Sequence, residues 1–135
     1  MKTNRYSQWF RGSTPYISAH RGKTFVVFIG GDSLGHLNIT NIVHDLALLH
    51  VLGVRLILVH GGRPQLDTAL TNSVMHEQRR ITRAEDMGII NGIYGQLRSL
   101  LEGLFSTGLP NTPMHNVEIS VVAGNFVTAR PIGVL

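Results

Sequence analysis

The chain has 135 residues, 43% of them hydrophobic, enough for one domain with a real core, and no apolar run approaches the length that spans a bilayer. Twelve Lys and Arg against eight Asp and Glu give a formal charge of +4, but apart from Arg79, Arg80 and Arg83 the basic residues are dispersed, with no aromatic-interleaved stripe, which disfavours a nucleic-acid partner. The absence of cysteine excludes disulfides and thiol chemistry, and a cytoplasmic setting is the expectation.

Residues 1–21 contain no acid and carry Arg5, Arg11 and Arg21 among several Ser and Thr, a composition that a mitochondrial presequence would share. They also hold Tyr6, Trp9, Phe10, Tyr16 and Ile17, enough apolar surface for a short helix that docks on something else. Gly22-Lys23-Thr24 resembles the end of a phosphate-binding P-loop. Ile17 stands where the motif needs its first glycine, however, and the triplet precedes a strand where the motif follows one, so the P-loop is rejected.

Two short runs, Phe25-Val26-Val27-Phe28-Ile29 and Val54-Arg55-Leu56-Ile57-Leu58-Val59, are β-branched and nearly continuous in apolar character. They predict neighbouring parallel strands covered on both faces. Between them Ile39, Ile42, Val43, Leu46 and Leu49 recur at helical spacing, and Gly53 sits where a helix C-cap glycine belongs. The unit is β-α-β, with Gly30-Gly31 and Gly61-Gly62 at the carboxyl ends of its strands. Ligands of such sheets gather there, because glycine lets backbone N–H groups approach an anionic group closely.

After Gly62, Arg63-Pro64-Gln65 predicts a short helix with Pro in its first turn and Leu66, Ala69 and Leu70 inward. Residues 71–80 are polar and read as irregular. Thr82-Arg83-Ala84-Glu85 has capping-box spacing, and the stripe Met87, Ile90, Ile93, Tyr94, Leu97, Leu100, Leu101 and Leu104 predicts the longest helix. Residues 117–123 predict a third strand, followed by a Gly124-Asn125 turn and a strand-like run over 126–130. The last five residues are apolar, with no polar tail, and predict that the natural protein continues.

The seven His form no metal-ligand set: His44 and His50 are six residues apart on one predicted helix, and His76-Glu77 lacks a second His. No metal is expected. Ser33 lies in no Gly-x-Ser-x-Gly elbow, and no catalytic residue is assigned. Arg63 and Arg80 lie close to predicted glycine turns, and a guanidinium grips a carboxylate through two parallel hydrogen bonds. By spacing alone, a surface role or an ion pair with Asp67 or Glu85 is favoured for both.

Phe10-Arg11, Ser13, Pro15-Tyr16-Ile17, His20-Arg21-Gly22-Lys23-Thr24-Phe25-Val26-Val27, Ile29-Gly30-Gly31, Gly53-Val54-Arg55-Leu56, Gly61, Arg63-Pro64-Gln65, Arg80-Ile81-Thr82 and Val122-Ala123-Gly124-Asn125-Phe126 together resemble the N-terminal part of bacterial N-acetylglutamate synthase. The resemblance covers nearly the whole chain. It implies an α/β fold, the N-terminal portion of an amino-acid-kinase-like (carbamate-kinase-like) domain with a mainly parallel sheet flanked by helices. It implies an N-terminal segment, residues 1–22, that forms an oligomerisation helix, ahead of a partial domain over 23–135. In the family this domain senses arginine and precedes a separate acetyltransferase domain, which acetylates glutamate in arginine biosynthesis. The implied partners are an amino acid, arginine or glutamate-like, and further copies of the chain, with no membrane.

Kinases of the superfamily place a Lys two residues before the first glycine pair. Here that position is Phe28, which brings no positive charge to a transferring phosphate. The chain also lacks the Gln/Arg-x-x-Gly-x-Gly/Ala loop with which acetyltransferases hold coenzyme A: Arg130-Pro131-Ile132-Gly133 has Leu135 at its final position. Acetyl-coenzyme A would therefore bind the missing domain, and this chain alone is expected to hold no cofactor and to be inactive. The candidate ligand-binding residues are Gly30, Gly31, Gly61, Gly62, Arg63, Arg80 and Asn125. The resemblance matches Arg80 to the kinases' substrate-carboxylate ligand, whereas for Arg63 ligand binding and ion pairing stay open. Two other readings are a stand-alone amino-acid-binding or interaction module, and an acylamino-acid kinase, which Phe28 disfavours.

Overall fold

A computed structural model describes residues 5–107, 119–122 and 124. The order is α1 (Arg5–His20), β1 (Thr24–Ile29), α2 (Gly31–Leu34), α3 (Ile39–Val51), β2 (Arg55–His60), α4 (Arg63–Ala69), β3 (Met75–His76), β4 (Arg79–Arg80), a 3-10 turn (Ala84–Asp86) and α5 (Met87–Ser106). The expected β-α-β unit is present: β1 and β2 pair in parallel, with Thr24 opposite Arg55 and Ile29 opposite His60.

Helix α3 buries Val43 and Leu46 of the predicted stripe, together with Ala47. It stops at Gly53, whose φ of +98° lies in the left-handed region that a side chain disfavours. The Gly53 N–H donates to the His50 carbonyl at 2.9 Å and the Val54 N–H to that of Leu49 at 3.1 Å, so the last turn's free carbonyls are satisfied as the chain enters β2.

The core lies between one face of the two strands and the pair α3 and α5. Ile29, Leu34, Val43, Leu46, Ala47, Leu97, Leu101 and Phe105 are buried together, with Val27, Leu56 and Leu58 packed against them. The opposite face departs from expectation. Val26, Phe28, Ile57 and Val59 are exposed, so among the described residues the sheet is covered on one side and not on both. A continuous apolar run makes the two faces of a strand chemically alike, whereas burial here follows the alternation of the pleat.

Three further expectations are corrected. Residues 71–80 are not irregular throughout: β3 and β4 form an antiparallel hairpin closed by Glu77 and Gln78, both at positive φ. The pair lacks the Asn-Gly or Asp-Gly chemistry that announces such a turn. The helix start is shifted by one residue, since the Asp86 carboxylate, not that of Glu85, accepts the Arg83 N–H, at 3.3 Å. Asp86 is buried and also receives the Arg83 side chain, whereas Glu85 pairs with that guanidinium from a more exposed position. Within α4, Ala69 is exposed while Leu70, just past the helix, is buried.

In the run expected as a third strand, residues 119–122 are in no regular element. A cleft of about 690 Å³ separates them from β2 and the C-terminal half of α5. An apolar run is compatible with a strand, but a strand needs a partner in register. The rest of that run, Asn125 and the run over 126–130 lie outside the described residues.

Candidate functional site

Both glycine turns emerge at one level, because β1 and β2 pair without offset and each ends where a glycine pair begins. The Gly61 N–H donates to the Ile29 carbonyl at 2.9 Å. The backbones press together closely enough to exclude side chains. A Cβ on Gly31 would lie 2.6 Å from Pro64 Cδ and 3.1 Å from Gly62 Cα, and one on Gly62 would lie 2.9 Å from Leu97 Cδ1. Gly30, by contrast, has open space around it.

Gln65 fastens the turns to each other. Its Nε2 donates to the Gly31 carbonyl at 2.7 Å, while its Oε1 is buried with no hydrogen-bond partner among the described residues. Phe28 stands beside this junction, its Cζ 3.5 Å from where a Cβ on Gly61 would be. The ring is largely exposed and gives this end of the sheet an apolar side chain in place of a charge.

The second half of the site begins one residue later. Pro64 occupies the first turn of α4, where its missing N–H has no helical partner to lose. Arg63 and Asp67 follow at a spacing of four, with Arg63 Nε 3.9 Å from Asp67 Oδ2. The hairpin brings Arg80 to the same carboxylate, where its Nη2 donates to Asp67 Oδ1. Arg80 is only 12% exposed in its side chain, and its Nη1 is buried without a partner among the described residues. Asp67 is 52% exposed.

Arg63, Arg79 and Arg80 line one side of a cleft of about 440 Å³. Leu66, Met75, Met87, Ile90 and Tyr94 supply its apolar wall. Arginine stays protonated and only donates, so such a cluster holds anions and transfers no proton. An arginine fork and an apolar wall in a cavity of this size suit a small molecule bearing a carboxylate and a short aliphatic part.

The structure thus brings Gly30, Gly31, Gly61 and Gly62 together, places Arg63 and Arg80 together in an adjoining cleft, and leaves Asn125 outside the described residues. Each arginine has Asp67 beside it, the ion-pair alternative drawn from spacing. Sequence reasoning missed the hairpin that carries Arg80 into place and the contribution of Met75, Gln78 and Tyr94. Tyr94 was legible only as part of the helix stripe, yet its ring lines the cleft and stands 6.0 Å from that of His60.

The amino-acid acetyltransferase of Pseudomonas fluorescens strain SBW25 is 48% identical to this chain over 134 residues, which is 96% of the chain and 31% of that protein. That of Aeromonas salmonicida strain A449 is 50% identical over 129 residues, covering 93% of the chain and 29% of that protein. A crystal structure of N-acetylglutamate synthase from Neisseria gonorrhoeae, complexed with coenzyme A and L-arginine, matches at a TM-score of 0.82 and 31% identity, over 98% of this chain and 32% of that one. Its complex with coenzyme A and N-acetyl-glutamate gives 0.78. The chain therefore spans about a third of the length of the relatives it matches. Residues 23–133 match the family described as Amino acid kinase family, and that stretch takes in both strands, both glycine turns and the arginine cluster: the chain belongs to the amino acid kinase family.

Proposed function

We propose that this chain is the N-terminal, amino-acid-binding and regulatory part of an N-acetylglutamate synthase, whose full protein transfers acetyl from acetyl-coenzyme A to the amino group of glutamate in arginine biosynthesis. The observation that carries the reading is the near-complete overlap of this chain with a third of proteins named amino-acid acetyltransferase. Phe28 supports a role in binding over phosphoryl transfer, since an uncharged ring cannot neutralise a transferring phosphate. Arg63 and Arg80 take the carboxylate of an arginine-like or glutamate-like ligand, and the apolar wall takes its aliphatic part.

The same proposal includes self-association through α1 and a cytoplasmic setting. Helix α1 supports the first, because none of its residues is buried while Tyr6, Trp9, Phe10 and Tyr16 stand exposed. Among the described residues no helix is long and apolar enough to cross a membrane.

The test is calorimetry on the purified chain with L-arginine, L-glutamate and N-acetyl-L-glutamate, run beside assays for ATP consumption and glutamate acetylation. Binding of at least one amino acid without turnover is expected. Turnover of either kind, or binding of none of the three, overturns the reading.

A further inference from the structure

Among the described residues, the cleft-lining side chains include three guanidiniums, those of Arg63, Arg79 and Arg80, and no acid. The carboxylate paired with Arg63 and Arg80 belongs to Asp67, on the second turn of α4 beside the lining residues. Its two oxygens divide between the arginines, Oδ1 bonded to Arg80 and Oδ2 near Arg63. A side-chain carboxylate thus already engages the guanidinium that a ligand carboxylate would need. The two sides of this pair differ in freedom. Arg80 is fixed, 12% exposed and held on a hairpin, whereas Asp67 is 52% exposed and reaches water by rotating its side chain.

We propose that Asp67 is a built-in competitor: it occupies the Arg80 guanidinium in the empty cleft, and a carboxylate ligand binds by displacing it. This rests on the reading that the cleft takes a carboxylate. Exchange is feasible because one charge-assisted bond replaces another and the released Asp67 recovers its hydration. It lowers affinity, because the ligand gains only the difference between its own contacts and those of Asp67. It also sharpens selectivity: an uncharged analogue cannot replace the lost ion pair, so the cleft stays closed to amides and esters of the same shape.

The experiment titrates N-acetyl-L-glutamate, and its dimethyl ester as control, into the full 135-residue chain, Asp67→Asn, Arg80→Gln and the double variant. Asn keeps the shape of Asp67 and removes its charge. Asp67→Asn is expected to bind N-acetyl-L-glutamate about tenfold more tightly, with no gain for the ester; Arg80→Gln is expected to abolish binding, and the double variant not to recover it. Unchanged or weaker binding by Asp67→Asn, with Arg80→Gln still abolishing it, overturns the competitor while leaving the carboxylate site standing. Normal binding by Arg80→Gln overturns the carboxylate site and the competitor with it. Should Asp67→Asn not fold, the carboxyl carbon-13 resonance of Asp67 is followed in the unmodified chain. It is expected to shift on saturation with N-acetyl-L-glutamate but not with the ester, and a resonance unmoved by bound ligand overturns the proposal.

Discussion

Gly53 and Gly62 look alike in the sequence, each a glycine beside a strand, yet different forces hold them. At Gly53 the constraint is the backbone: Gly53→Ala forces a side chain to φ of +98° and sets its Cβ 2.8 Å from Arg21 Cγ. The arm of Arg21 is flexible and moves aside, so the left-handed conformation remains as the cost, about 1–2 kcal/mol in a urea melt. At Gly62 the constraint is crowding. Gly62→Ala drives a methyl into Leu97 and Tyr94, side chains that also border the core and the cleft, and overpacking of this kind costs about 1–3 kcal/mol. The two variants should separate in ligand binding: Gly62→Ala shifts Tyr94 and weakens binding of N-acetyl-L-glutamate, while Gly53→Ala, at the other end of β2, leaves it unchanged. Sequence alone marks both positions as special without distinguishing them, because the neighbours of Gly62 come from a helix more than thirty residues away.

Helix α5 is the element whose stripe was most legible, and burial grades it more finely than periodicity does. Leu97 and Leu101 of the predicted stripe are buried, as is Phe105 outside it, whereas Leu100 and Met87, also of the stripe, are 42% exposed. Phe105→Ala should cost about 3–5 kcal/mol and Leu100→Ala less than about 1 kcal/mol, read as shifts in a denaturant melt. Equal effects would mean that α5 sits differently on α3. The paired strands, the crossover helix and its glycine stop were likewise readable, since each leaves a local mark in period or composition. The hairpin was not. Its two strands have two residues each and its turn is Glu77-Gln78, so local propensity does not announce it; it is closed by the pairing of β3 with β4 and by the carbonyl of Val74 accepting the Ile81 N–H at 2.9 Å. The arginine cluster was legible as residue types and invisible as a cluster for the same reason.

For the whole molecule, two exposed apolar surfaces bear on the proposed self-association. Helix α1 buries none of its side chains, so deleting residues 1–18 should change the unfolding free energy of the remainder by less than about 1 kcal/mol, as little apolar area returns to water. The same deletion in the full-length protein should lower the mass of its assembly, and an unchanged mass by light scattering would show that α1 is not the contact. The sheet face left uncovered among the described residues is the second surface. Val26, Phe28, Ile57 and Val59 leave apolar area in water that, at ~25 cal/mol per Å², would contribute several kcal/mol if a few hundred Å² were covered. Size-exclusion chromatography should therefore show concentration-dependent association of the isolated chain, reduced by Ile57→Lys. A monodisperse monomer with a concentration-independent melt would count against it.

The level pairing of β1 and β2 also makes the sheet a ruler for chain length. One residue added inside Arg55–His60 would slide Gly61 by about 3.3 Å past Ile29 and turn Leu56 and Leu58 away from the core. Length can vary more freely where no such alignment is read out, as at the exposed residues 71 and 72 between α4 and β3. Insertions accepted there and refused within either strand would give the glycine junction the character of a fixed datum from which the remaining distances in the molecule are measured.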